Sequence, residues 1–114
     1  MSLVDIYFSF SGRIGLKTYW LGMLSITAVF LFIWIISEVF LSQSKFSDLP
    51  LLLSLLFLSW PSLALTIKRW HDRDKSGWWY LIVLIPIIGE IWLFILIGLL
   101  PGTDGTNQYG LKSY

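Results

Sequence analysis

The chain has 114 residues, 56% of them hydrophobic and 13% charged, with a mean hydropathy of +0.75. Soluble domains run to about 45–50% apolar and about 25% charged residues, so this composition excludes that class, and it excludes a disordered tail as well. Eight Lys and Arg against seven Asp and Glu leave a formal net charge of +1, so no nucleic-acid partner is expected. The length allows one domain. With no Cys there is no disulfide framework, no thiolate zinc site and no Cys nucleophile. Seven Trp and five Tyr suit a chain that meets membrane–water interfaces.

Residues 1–18 read as an interfacial segment. On a helical wheel Leu3, Ile6, Tyr7, Phe10 and Ile14 share one face, and Asp5, Ser9, Gly12 and Arg13 the other. That pattern predicts a helix lying in the interface plane, weakened by Gly12 and Gly15, with Arg13 and Trp20 at the interface. The first span covers 19–41, and from Trp20 to Ser37 eighteen residues carry no charge. A cleaved signal peptide has a shorter apolar core, about 7–15 residues, and a small-residue cleavage site, so this stretch is expected to stay. Glu38 lies near the span's end and reaches the interface. Residues 42–48 form a polar loop. Asp48 or Leu49 caps the second span, 49–67, with Pro50 in its first turn and Pro61 kinking it near Phe57.

A basic loop, 68–76, leads into a third stretch, 77–100, whose one charge is Glu90. Pro86 and Gly89 either kink this stretch as it crosses or turn it back as a re-entrant segment. Residues 101–114 are a Gly-rich tail. A hydrocarbon core about 30 Å thick needs about 20 helical residues, and each apolar stretch is that long. Lipid offers no partners to exposed backbone, so helices are required. The expected fold is a single all-α domain, a polytopic integral membrane protein with three transmembrane helices and an amphipathic interfacial N-terminal segment.

Arg13, Lys17, Lys68, Arg69, Arg73 and Lys75 share one side of that arrangement, against Lys45 and Lys112 on the other. Positive charge stays inside, so the N-terminus and the 68–76 loop are expected in the cytoplasm. The C-terminal tail lies outside if the third stretch crosses. It returns to the cytoplasmic face if the chain turns back at Pro86-Ile87-Ile88-Gly89.

The densest polar cluster runs from Lys68 to Trp79. Its plain reading is an anchor and a turn. Lys68 and Arg69 snorkel, Trp70, Trp78 and Trp79 form an aromatic belt, and Ser76 or Asp74 caps the next helix. Its sharper reading is a lipid or phosphate site. Arg69 and Arg73 fork onto phosphate oxygens, and His71 adds a donor or a proton-transfer group. Asp72, Trp78, Trp79 and the tail's Asn107 complete that candidate set. A metal site of His71, Asp72 and Asp74 is disfavoured by its positive neighbours, and no metal or other cofactor is expected. Glu90 is a functional candidate by its depth alone. Its partner would be a hydroxyl, an indole N–H or backbone freed by Pro86; otherwise it is satisfied locally beside Gly89. The tail lacks the Gly-Lys-Ser/Thr ending of a phosphate loop and the spaced acids of a Ca²⁺ loop.

Three motifs occur in order: Phe10-Ser11-Gly12-Arg13-Ile14-Gly15 before Tyr19-Trp20; Lys68-Arg69-Trp70-His71-Asp72 leading into Ser76-Gly77-Trp78-Trp79; and Pro101-Gly102-Thr103-x-Gly105-x-Asn107-x-Tyr109-Gly110. Together they resemble the small bacterial inner-membrane family of unknown function that includes the YhaH- and YhaI-type proteins. Lys17 stands where that family often has another basic residue near Gly15, Trp70 where Leu is commoner, and an acid at position 90 is outside its pattern. The resemblance implies a multi-pass protein of the bacterial inner, or plasma, membrane, and supplies no catalytic residues. Three functions are open. The first is a non-enzymatic module binding membrane lipid or a partner, such as another membrane protein or a second copy, through 68–79. The second is an enzyme acting on lipid headgroups with His71, Asp72 and Arg69 or Arg73. The third is an oligomeric transporter or channel lined by Glu90.

Overall fold

Ser2 starts the first helix by accepting a bond from the Asp5 amide at 3.2 Å. Helix α1 (Leu3–Phe8) is short, because the chain is extended at Ser9 and turns at Gly12 with φ +93°. The structure, a computed structural model, describes residues 2–110. The rest of the tail, Lys112 included, lies outside the described residues. The amphipathic helix expected within residues 1–18 is confined to Leu3–Phe8. Ile6 and Tyr7 do pack inward, and Tyr7 Oη meets Ser25 Oγ at 2.6 Å.

Helix α2 (Leu16–Leu41) and helix α3 (Leu49–Asp72) pack against each other along their lengths, joined by the 42–48 loop. At 1.5 Å per residue their 26 and 24 residues each exceed the hydrocarbon core of about 30 Å. Asp48 is the N-cap of α3 and Pro50 lies in its first turn, where the missing N–H is harmless. The helix runs on through the buried Pro61. Leu24, Phe32, Leu56 and Phe57 lie 60–70% exposed on the outer faces. Such surface suits lipid and would be a liability in water. The fold is that of an all-α integral membrane protein. Among the described residues there is no strand, only an isolated bridge between Asn107 and Gly110.

The third apolar stretch doubles back on itself as a hairpin instead of forming one long helix. A 3-10 helix (Gly77–Leu84) goes in and helix α4 (Ile88–Gly98) comes back. Each arm is about 16 Å long, half of a hydrocarbon core. At the tip the Ile88 amide bonds Pro86 O at 2.7 Å around Ile87, which sits at φ +66°, ψ −59°. That is the strained form of the γ-turn, and a β-branched residue occupies it at a cost. Gly89 allows the arms to touch, since a Cβ there would collide with Ile82 O. The returning arm ends beside the start of α2 and the end of α3. Trp20 Nε1 donates to Gly98 O at 2.7 Å, and Arg69 Nε to Ile97 O at 2.8 Å. The tail and the 68–76 loop thus meet at one end of the molecule. The buried apolar cluster of Ile14, Tyr19, Leu65, Trp70 and Ile97 lies at this same end.

Candidate functional site

Asp72, the last residue of α3, places its carboxylate between two guanidinium groups. Arg13 Nε donates to Oδ1 at 2.8 Å, and Arg69 Nη1 donates to Oδ2 from one turn earlier. All three residues are at most 2% exposed. Removing charges from water is costly, and it is tolerable when every remaining donor finds an acceptor. Here the acceptors are backbone carbonyls. Arg13 Nη1 reaches Gly105 O at 2.8 Å and Gly110 O at 3.3 Å, and Nη2 bonds Thr103 O. Besides Ile97 O, Arg69 takes Leu100 O and, at 3.4 Å, Ile14 O. Ile97 lies in the last turn of α4 and Leu100 just beyond its C-cap, where carbonyls lack helical partners and a cation is favoured. Thr103 N donates to Asp72 O at 2.7 Å. Gly102 lets the tail pass, because a Cβ at that position would overlap the Asp72 carboxylate.

This geometry corrects several expectations. Arg13 is no interfacial side chain; it is inside, paired with a residue 59 positions away. Arg69 does not snorkel, and its donors are engaged within the protein rather than presented to a phosphate. Lys68 does not snorkel either. It is fully buried, and its Nζ bonds the carbonyls of Asp5 and Ile6 at the end of α1. Trp70, expected in the aromatic belt, is also fully buried. In each case a carbonyl or packing partner from a distant segment has replaced the water that sequence reasoning supplied.

His71 is held on both sides. Its Nδ1 lies 2.8 Å from Gly12 O, which can only accept, so Nδ1 carries the proton. Its ring stacks on Tyr109 with centroids 3.9 Å apart. Asn107 Nδ2 donates to His71 O at 2.9 Å, so Asn107 fastens the tail to α3. Asp74, at φ +60°, accepts from the Gln108 amide at 3.2 Å. His71, Asp72 and Asp74 therefore serve three different partners. Among the described residues no group of three or more His, Asp or Glu could hold a metal ion. Ser76 is the N-cap of the 3-10 helix by position, without a side-chain capping bond.

The outer face of the loop is different. Trp78 is 77% exposed and Trp79 is 48% exposed, with Lys75 Nζ 5.1 Å from the centre of the Trp79 ring. Arg73 donates through Nη1 to Pro101 O at 2.6 Å, and its buried Nε has no acceptor among the described residues. A groove of about 440 Å³ opens between Ser76, Trp78, Trp79, Ile82 and Ile85. Trp20 is partly exposed and sits edge-on to Phe94 at 6.0 Å, against the returning arm. Glu90 stands apart from all of these, exposed in the first turn of α4 near the hairpin tip.

Sequence reasoning missed the Arg13–Asp72 pair and the part played by Thr103 and Gly105. The available signal was the shortage of acids: Asp72 follows Arg69 by one helical turn, in a chain whose apolar stretches would return the tail to that point.

The family model described as protein of unknown function (DUF805) matches residues 7–111. Over 111 residues the chain is 38% identical to the inner membrane protein YhaI of Escherichia coli (strain K12), covering 96% of this chain and 90% of that protein. It is 35% identical over 115 residues to the inner membrane protein YhaH of the same strain, with 96% and 91% covered. It is 26% identical over 138 residues to the uncharacterized protein YiiR, with 96% and 89% covered. No solved structure matches the chain.

Proposed function

This chain belongs to the DUF805 family, and from that premise we propose that it is a non-enzymatic membrane module whose loop face at 73–79 holds anionic lipid headgroups. One observation carries the reading. The groups best suited to chemistry, Arg13, Arg69 and Asp72, are engaged with one another and with backbone carbonyls, and His71 is fixed between Gly12 and Tyr109. What remains on the surface is Lys75, Arg73 and two exposed indoles above an apolar groove. Cations beside amphipathic rings suit a headgroup layer, and the groove suits the first methylenes of an acyl chain. The excess of Lys and Arg at this end supports a cytoplasmic reading for the N-terminus, the 68–76 loop and the tail, the face on which anionic lipid is met.

The test is lipid retention, counted by native mass spectrometry of the protein released from phosphatidylcholine nanodiscs with and without phosphatidylglycerol. The expected result is a preference of about tenfold for phosphatidylglycerol, since each cation near the surface contributes about 1 kcal/mol. Lys75→Ala combined with Trp78→Ala should reduce the preference severalfold, and His71→Ala should leave it in place. Equal retention of the two lipids by the unaltered protein would overturn the reading.

A further inference from the structure

Glu90 is the one acid in the hairpin, and it is exposed. Seven residues of α4 separate it from Ile97, which lies level with Arg69, so it is about 10 Å below the polar end. Its neighbours on the outer face are Ile88, Ile91 and Phe94, each at least half exposed. Lipid tails offer a carboxyl group no hydrogen-bond partner, and none comes from the described residues. Two positions further on, Trp92 is 51% exposed, and its indole N–H likewise has no acceptor among them. An acceptor and a donor therefore flank Ile91 on opposite edges of one apolar face, and both face lipid.

We propose that this face of α4 is the interface with a second copy of the chain. Two copies inserted in the same orientation and related by a two-fold axis along the membrane normal bring opposite edges of their α4 helices together. Glu90 of each copy then meets Trp92 of the other, twice over. The two residues differ in depth by about 3 Å, which their side chains span. The indole N–H donates to a carboxyl oxygen in either protonation state. Ile91 and Ile95 form the apolar seam between the two bonds. The face is complementary to itself, and this selects a second copy over a partner bearing a separate cation. The inference does not depend on lipid binding by the 73–79 face.

The experiment is dimerisation in phosphatidylcholine liposomes, measured by energy transfer between labelled copies as the protein-to-lipid ratio is varied. The unaltered protein should dimerise. Glu90→Leu and Trp92→Phe should each weaken the dimer about tenfold, as expected for hydrogen bonds within a bilayer. The double variant should be little weaker than either single one, because both remove the same bonds. Glu90→Gln keeps an acceptor and should stay near the unaltered value. These side chains point away from the protein's interior, and unchanged circular dichroism would confirm intact folding. Since the chain has no Cys, Ile91→Cys should also cross-link to itself in membranes, while Leu56→Cys on α3 should not. A monomer at every ratio overturns the proposal. So does a dimer indifferent to Glu90 and Trp92, or an Ile91→Cys cross-link to a different membrane protein.

Discussion

The two ends of the hairpin formed by the 3-10 helix and α4 are built on opposite terms. At its base, where the 3-10 helix leaves α3 and α4 returns, charged side chains are buried and the N-terminal segment meets the tail. At its tip, apolar side chains are exposed, one acid lies among them, and the backbone is strained at Ile87. The base resembles the core of a soluble protein in which ion pairs have taken over part of the work of apolar packing. The tip has little of its own to pack against. In water the burial of oil would hold a fold together; in a bilayer oil gains little by moving inward, so cohesion passes to hydrogen bonds and ion pairs at the membrane's edge.

The sharpest way to break that contrast is Asp72→Ala. It leaves Arg13 and Arg69 buried without their anion and should cost about 3–5 kcal/mol. Thermal unfolding in detergent, followed by circular dichroism, should show a large fall in midpoint or a loss of folded protein; an unchanged midpoint would mean the base is not held by its ions. Next in size is Gly102→Ala, whose Cβ must displace the tail from Asp72 at about 1–3 kcal/mol. Hydrogen exchange across 101–110 should rise while the centres of α2 and α3 stay protected. Gly89→Ala acts at the other end by pushing the Ile82 backbone away from α4, a cost of similar size. Its effect should be confined to exchange within 77–98.

Sidedness sharpens the comparison without altering stability. Single Cys replacements at Ser76 and Thr106 should be labelled by an impermeant maleimide from the same face of the membrane, and labelling from opposite faces would mean that the hairpin crosses. The smallest effect expected is a gain. Ile87→Gly suits the positive φ and should raise stability by about 1 kcal/mol, read as a slightly higher unfolding midpoint.

Much of this contrast was legible in the residues. Uncharged runs located the two long helices, Asp48 and Pro50 marked the start of α3, and Pro86 with Gly89 marked where the third stretch could turn. A helical wheel, however, assigns a side chain to a face from its near neighbours alone. It placed Arg13 with Asp5 and Ser9, because nothing within a few residues reveals an anion 59 positions later. Local sequence sends Lys68 and Trp70 to the interface for the same reason: the carbonyls of α1 and the packed cluster around Trp70 come from other parts of the chain. The choice between crossing and turning back depended on how closely residue 89 can approach residue 82, a distance that periodicity does not carry.

The fastening at the base also has an order in time. Its bonds join Arg13 to Thr103 and Gly105, spanning 90 and 92 residues of sequence. Contacts that distant are slow to form, because the loop they close must be ordered before they give anything back. Helices α2 and α3 can insert and pair soon after their own residues are available. Arg69 and Asp72 can pair as soon as α3 forms, but the carbonyls that complete the bonding of Arg13 arrive only with the chain beyond Pro101. The last-made part of the described chain therefore acts as a latch, and during that interval the charged end is open to water and to whatever else is there to bind it.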